Sequence, residues 1–137
     1  MKVLNITLSN NISDFNVLAA KLEQFFEENN ISGISMPMTL ILEELYTNTI
    51  THGAPDGREV FIEVNLGIDK DELMITYKDN GISFNVLELP DPDLTAPIEN
   101  REVGGLGVHY VKALTDSVEY EYLDKHNVLK MKKKLSG

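Results

Sequence analysis

Residues 36–52, MPMTLILEELYTNTITH, decide the fold, because they join a clear helical period to polar residues that the period does not require. Pro37 suits a first helical turn, since its fixed φ is helical and its missing N–H has no intrahelical partner there. Met38, Leu42, Leu45 and Thr49 recur at i, i+4, i+7 and i+11 with Ile41 beside them, which predicts a core-facing stripe. Glu44, Asn48 and His52 follow one another at four-residue intervals and so line up along the border of that stripe. A carboxylate and a carboxamide then share the edge of a core. An amide oxygen can ligate Mg²⁺, and a carboxylate one turn earlier can take a proton from an attacking hydroxyl. The same pair is also what a solvated helix flank looks like, so the chemistry needs support from elsewhere in the chain.

Working outward from this helix, residues 3–9 alternate with Leu4, Ile6 and Leu8 on one face, which predicts a half-buried strand fit for a sheet edge. Ser13 is placed to cap a helix reaching about Asn29, with Phe15, Leu18, Ala19, Leu22, Phe25 and Phe26 on its apolar face. After the central helix, Gly53, Pro55 and Asp56-Gly57 predict a left-handed cap and a turn. Residues 60–66 and 72–78 read as a hairpin joined by the polar segment 68–71. Residues 86–103 carry Pro90, Pro92 and Pro97 with scattered acids and no sustained period, which predicts a long loop. A helix opening at Gly104-Gly105-Leu106-Gly107 follows, and strands at 117–123 and 128–135 are joined across 124–127.

The whole chain, 137 residues with 42% hydrophobic and 25% charged, is sized for one domain, 1–137, with a genuine core. Its formal net charge of −10 argues against nucleic acid or an anionic membrane as partner, because both demand a basic surface, and favours a basic protein partner. The absence of Cys excludes disulfides, zinc-thiolate sites and a cysteine nucleophile. No apolar run approaches the length of a membrane span and the first residues lack a leader pattern, so the expectation is a soluble cytoplasmic protein.

Two further segments carry chemistry. Asp79-Asn80-Gly81 puts an acid at the end of a strand, with a glycine two residues on where a flat ring can approach the backbone. An ionised carboxylate only accepts hydrogen bonds, so it selects an exocyclic amine such as adenine's over the oxygen of guanine. A plain Asx turn closing the strand has the same sequence. Gly104-Gly105-Leu106-Gly107 before a helix supplies backbone N–H groups and the positive end of a helix dipole for phosphate, and equally suits a loop hinge.

In combination and order, Glu44-x-x-x-Asn48, Asp79-x-Gly81-x-x-Phe84 and Gly104-Gly105-x-Gly107 resemble the N, G1 and G2 boxes of the GHKL ATPase superfamily. Within it the chain is similar to the anti-sigma factor serine/threonine kinases of the RsbW and SpoIIAB type. The likeness extends through Leu42-Glu43-Glu44-Leu45, Phe84-Asn85, the segment 89–94 and Gly105 to Val111. It implies the Bergerat fold, an α/β sandwich whose mixed, mostly antiparallel sheet carries helices on one face, with an ATP lid at about 86–103. It implies ATP and Mg²⁺ as ligands, Glu44 as general base, Asn48 as metal ligand, Asp79 as adenine reader, Gly81 as the close-approach position, and Gly105 and Gly107 against the phosphates. Arg101, just before the last box, is either a cation for the phosphates or a solvated lid residue. Relatives often place a small hydroxyl residue in the last strand near the adenine acid, and the position aligned with it is Lys130, whose cation either faces out or, facing in, pairs with Asp79 and alters base recognition.

The resemblance implies a protein kinase that acts as a switch on a sigma factor or an anti-anti-sigma-like protein, and it is compatible with a homodimer. A second class fits the same residues: a module whose nucleotide orders the lid for partner binding without phosphoryl transfer. A sensor histidine kinase core is a third option, weakened because the chain has no phospho-acceptor helix pair. His52, His109 and His126 lack metal-ligand spacing and read as structural or surface groups, with His52 near the expected metal position.

Overall fold

The alternation of β-branched and polar residues builds one sheet, and the two long amphipathic stretches build the helices that cover it. The structure is a computed structural model that describes residues 2–11, 13–54, 57, 59–88 and 111–135. Strand β1 (Lys2–Ser9) leads into helix α1 (Asp14–Glu28), a short 3-10 turn (Ser32–Ile34) and helix α2 (Ser35–His52). Strands β2 (Phe61–Asp69), β3 (Glu72–Asp79), β4 (Ser117–Leu123) and β5 (His126–Lys134) complete the sheet. Their order is β1-β2-β3-β5-β4, so β1 does lie at an edge. Every described pairing is antiparallel, and no parallel pair of the kind a mixed sheet implies occurs among the described residues.

The core lies between the sheet and the helices. Ile6 and Leu8, Ile62 and Val64, Leu73 and Ile75, and Leu129 and Met131 point to that side from four neighbouring strands. Leu18, Leu22, Phe25 and Phe26 of α1 and Met38, Ile41, Leu42 and Leu45 of α2 meet them. Removing a fully buried ring such as Phe26 typically costs about 3–5 kcal/mol, so this layer carries much of the stability. No helix among the described residues is long and apolar enough to cross a membrane.

The helix ends depart from expectation in two places. Ser13 has helical backbone angles and makes no capping bond; its hydroxyl donates to Asn11 Oδ1 at 2.9 Å. The neighbouring Asp14 carboxylate accepts from the Ser9 backbone N–H at 3.0 Å and the Ser9 hydroxyl at 2.9 Å, which ties α1 to the end of β1. At the other end of the layer Gly53 keeps a right-handed conformation (φ −76), its N–H donating to the Thr49 carbonyl at 2.8 Å. The left-handed glycine of that connection is Gly57, with φ 76.

The hairpins are tighter than the sequence implied. Strand β2 runs on to Asp69, leaving only Lys70 and Asp71 in the turn. The last hairpin turns on Asp124 and Lys125, with φ 52 and 63, the left-handed pair that matches the natural twist of two strands. Asn127 therefore lies inside β5 rather than in the turn, opposite Asp79 of β3.

Candidate functional site

The polar edge of α2, the end of β3 and the start of β5 converge on one cleft. Its walls include Asn48 and Thr49 from α2, Asp79 from β3, Phe84 from the following loop, and Tyr120 and Asn127 from the last hairpin. Asp79 is only 6% exposed. Its Oδ1 accepts from the Gly81 N–H at 2.9 Å and from the Asn127 amide at 3.0 Å, and its Oδ2 accepts from the Thr49 hydroxyl at 3.3 Å. Thr49 in turn stands 2.7 Å from the Tyr77 hydroxyl. The Thr49 hydroxyl has one proton and two acceptors within reach, Asp79 Oδ2 and the Leu45 carbonyl at 3.1 Å, and a carboxylate is the stronger of the two; with the Thr49 proton on Asp79, Tyr77 donates to Thr49. Burial pushes the Asp79 carboxyl above its ordinary range, while the bonds from Asn127, Gly81 and Thr49 act the other way. Burial also pushes the Tyr77 phenol well up, so it remains a neutral donor.

Gly81 is required for packing as well as for any close approach. A Cβ on it would lie 2.8 Å from the Gly53 carbonyl oxygen and 2.9 Å from the Gly53 Cα, because the loop after β3 rests directly on the end of α2. The Ile82 N–H donates to that same carbonyl at 3.0 Å. His52 adds a lateral contact, its ring stacked on Phe84 with centroids 4.7 Å apart and planes 18° from parallel.

Glu44 and Asn48 lie one turn apart on α2, as their spacing requires. Glu44 Oε1 and Asn48 Nδ2 are buried without a hydrogen-bond partner among the described residues. Leaving such a group unpaired costs about 1–3 kcal/mol, so each atom calls for a partner that the described chain does not supply. A half-turn of the Asn48 amide places its oxygen where the orphaned nitrogen stands. One neutral oxygen, with phosphate and water for the remaining ligands, is a donor set that suits Mg²⁺. Burial, with Glu43 adding repulsion, pushes the Glu44 carboxyl up, the direction that makes a carboxylate a better proton acceptor near neutrality.

Of the residues singled out from the sequence, Asn48, Asp79 and Gly81 come together here, with Glu44 along the same helix. Gly105 and Gly107, Arg101, and all of the expected lid beyond Glu88 lie outside the described residues. Lys130 does not approach Asp79. It stands opposite Thr76 and Glu119 in the sheet, on the side away from the helices, and pairs loosely with Glu121 at 3.8 Å. The residue beside the buried acid in the last strand is Asn127, three positions earlier and so on the opposite face. Sequence reasoning also missed Thr49 as a polar member of the site, because its place on the apolar stripe reads as core.

An antiparallel sheet covered by helices, with a cleft lined by Asn48 of α2 and the buried Asp79 of β3, is an α/β sandwich architecture. The chain belongs to the histidine kinase-like ATPase domain family, whose model matches residues 14–133. It is 32% identical over 96 residues to an anti-sigma F factor of Clostridium perfringens, covering 69% of each chain. It is 30% identical over 100 residues to the serine-protein kinase RsbW of Bacillus mycoides, covering 69% of this chain and 61% of that one. The fold is shared with the Acinetobacter baumannii histidine kinase AdeS, at a TM-score of 0.53 and 14% identity over 100% of this chain and 70% of that one. The catalytic domain of histidine kinase ThkA matches at a TM-score of 0.50 and 13% identity over 98% of both chains.

Proposed function

We propose that the cleft binds ATP with Mg²⁺ and that the protein is a serine/threonine protein kinase of the anti-sigma factor type. Its partner in this reading is a sigma factor or an anti-anti-sigma-like protein, the latter receiving the phosphoryl group. The observation that carries the reading is one cleft lined both by the buried Asp79, held by hydrogen-bond donors, and by Asn48, whose amide nitrogen has no partner among the described residues, with Glu44 one turn before Asn48 on α2. The names of the relatives support the kinase and anti-sigma part.

In this reading Asp79 accepts the adenine amine, since an ionised carboxylate has no proton to offer guanine's oxygen. Asn48 is the residue that would hold Mg²⁺, which neutralises phosphate charge when bound. Glu44 accepts the proton of the partner's hydroxyl as that oxygen bonds to the γ-phosphorus and the bond to ADP's bridging oxygen breaks. Apolar residues, Leu45, Ile82 and Val86 among them, line the cleft beside Asp79 and Asn48 and would pack against the purine. A net charge of −10 favours a partner with a basic contact face.

The test is calorimetric titration with ATP and GTP in Mg²⁺, followed by incubation with γ-labelled ATP and candidate partner proteins. Preferential ATP binding with label transferred to a serine or threonine is expected. Absence of ATP binding would overturn the nucleotide assignment; ATP binding that tightens a partner complex with no transfer would replace the kinase with a nucleotide-gated binding module.

A further inference from the structure

We propose that Asn127 is a positioning residue for base selection: its amide fixes which oxygen of Asp79 is offered to the purine and locks the loop 80–84 that borders the base. This rests on the cleft being a nucleotide site. Asn127 is 7% exposed and stands directly opposite Asp79 in the β3–β5 register. Its Nδ2 donates to Asp79 Oδ1 at 3.0 Å and to the Ile82 carbonyl at 2.7 Å. Its Oδ1 accepts from the Phe84 N–H at 2.9 Å and the Tyr120 hydroxyl at 2.5 Å. A backbone N–H can only donate and a carbonyl can only accept, so Phe84 and Ile82 together dictate the orientation of the amide.

That orientation has a consequence at Asp79. Oδ1 receives two N–H donors, from Gly81 and Asn127, and is saturated. Among the described residues Oδ2 receives only the longer Thr49 bond and keeps acceptor capacity for a ligand. The bond from Asn127, with those from Gly81 and Thr49, favours the ionised carboxylate, the form that accepts and does not donate. The loop is held from both sides, Ile82 and Phe84 by Asn127 and the Ile82 N–H by the Gly53 carbonyl at the end of α2. Without Asn127 the carboxylate keeps Gly81 and Thr49 as donors among the described residues but is held less firmly, Oδ1 regains acceptor capacity, and the preference for a base that carries the amine weakens.

The experiment compares ATP with purine riboside triphosphate, which lacks only the 6-amine, in the parent protein and in Asn127→Ala, with Asn127→Thr as a milder variant that retains one hydroxyl donor. The parent is expected to prefer ATP by roughly tenfold or more, the worth of a charge-assisted hydrogen bond, and Asn127→Ala to lose most of that preference. Asn127→Thr should fall between them, and carries the measurement if Asn127→Ala shows no cooperative unfolding transition. A residue that only closes the sheet would weaken both nucleotides alike, so an unchanged ratio in the variants overturns the assignment of Asn127 alone. A parent that binds neither nucleotide overturns the nucleotide reading and this assignment with it.

Discussion

Gly81 rests on Gly53 so closely that a methyl group added to Gly81 would stand 2.8 Å from the Gly53 carbonyl oxygen, joining the loop after β3 to the end of α2. The clash is with backbone, which cannot turn aside as a flexible side chain can. Gly81→Ala should therefore destabilise the protein by about 1–3 kcal/mol, the usual cost of forcing extra volume into a packed site, and weaken ATP binding because the loop moves with it. Gly33→Ala is the control, since a Cβ there meets nothing within 4 Å. Urea unfolding of both variants checks the contrast, and equal stabilities would show that the contact is not rigid.

Asp79→Asn should lower ATP affinity by about 10- to 150-fold, the range of a hydrogen bond to a charged group, while the fold persists. Without ligand the stability change has the opposite sign. Burial raises the Asp79 carboxyl in the folded state, so its contribution to stability is fully present below the ordinary Asp range and is lost as pH rises through the raised folded value. The asparagine variant does not titrate and should gain on the parent across that window. Chemical denaturation at a series of pH values from acid to neutral, without nucleotide, reads the sign directly.

Asn48→Ala should reduce the gain in ATP affinity that Mg²⁺ confers, while metal-free nucleotide binding changes less. The orphaned amide is the reason: deleting it removes an unpaired buried group, so the variant should be no less stable than ordinary truncation of a buried polar side chain allows. Titrations with Mg²⁺ and with EDTA separate the two contributions. An Mg²⁺ effect of unchanged size would remove Asn48 from the metal.

Lys130→Ala should leave both stability and ATP affinity almost untouched, within about 0.5 kcal/mol, because its ion partner, Glu121, is about as exposed as itself and lies on the far side of the sheet from Asp79. A loss of ATP affinity in this variant would restore Lys130 to the base pocket.

The strands and helices were legible because their periods are strong: Leu18, Leu22, Phe25 and Phe26, and then Met38, Ile41, Leu42 and Leu45, occupy the faces that their spacing dictates. The Glu44, Asn48 and Asp79 pieces were legible as residue types at fixed offsets. Asn127 was not, because Asp-Lys-His-Asn reads as a four-residue turn, and only the left-handed pair at Asp124 and Lys125 shortens it and draws Asn127 into the strand. A shift of three residues also reverses the face, which is how Lys130 came to be aligned with a position it cannot reach. Thr49 was hidden for another reason: its hydroxyl can satisfy itself on the Leu45 carbonyl, at 3.1 Å, so a threonine within an apolar stripe gives no sign of a ligand role until Asp79 and Tyr77 arrive from β3.

The kinase reading turns on Glu44, which sits one turn before Asn48 with a buried oxygen that has no partner among the described residues. Glu44→Gln keeps the size and shape of the side chain and removes its basicity. Transfer of phosphate to the partner should fall by roughly 10²- to 10⁴-fold, the usual worth of a positioned base, while ATP and partner affinities stay close to those of the parent. The parent rate should also rise with pH through the elevated Glu44 range, because the group acts as a base only when ionised, and this limb should vanish in the variant. Single-turnover transfer measured against pH, beside ATP titrations of the same preparations, provides both readings. Equal rates in the two proteins would remove Glu44 from the chemistry and leave its buried oxygen to be explained by a structural water.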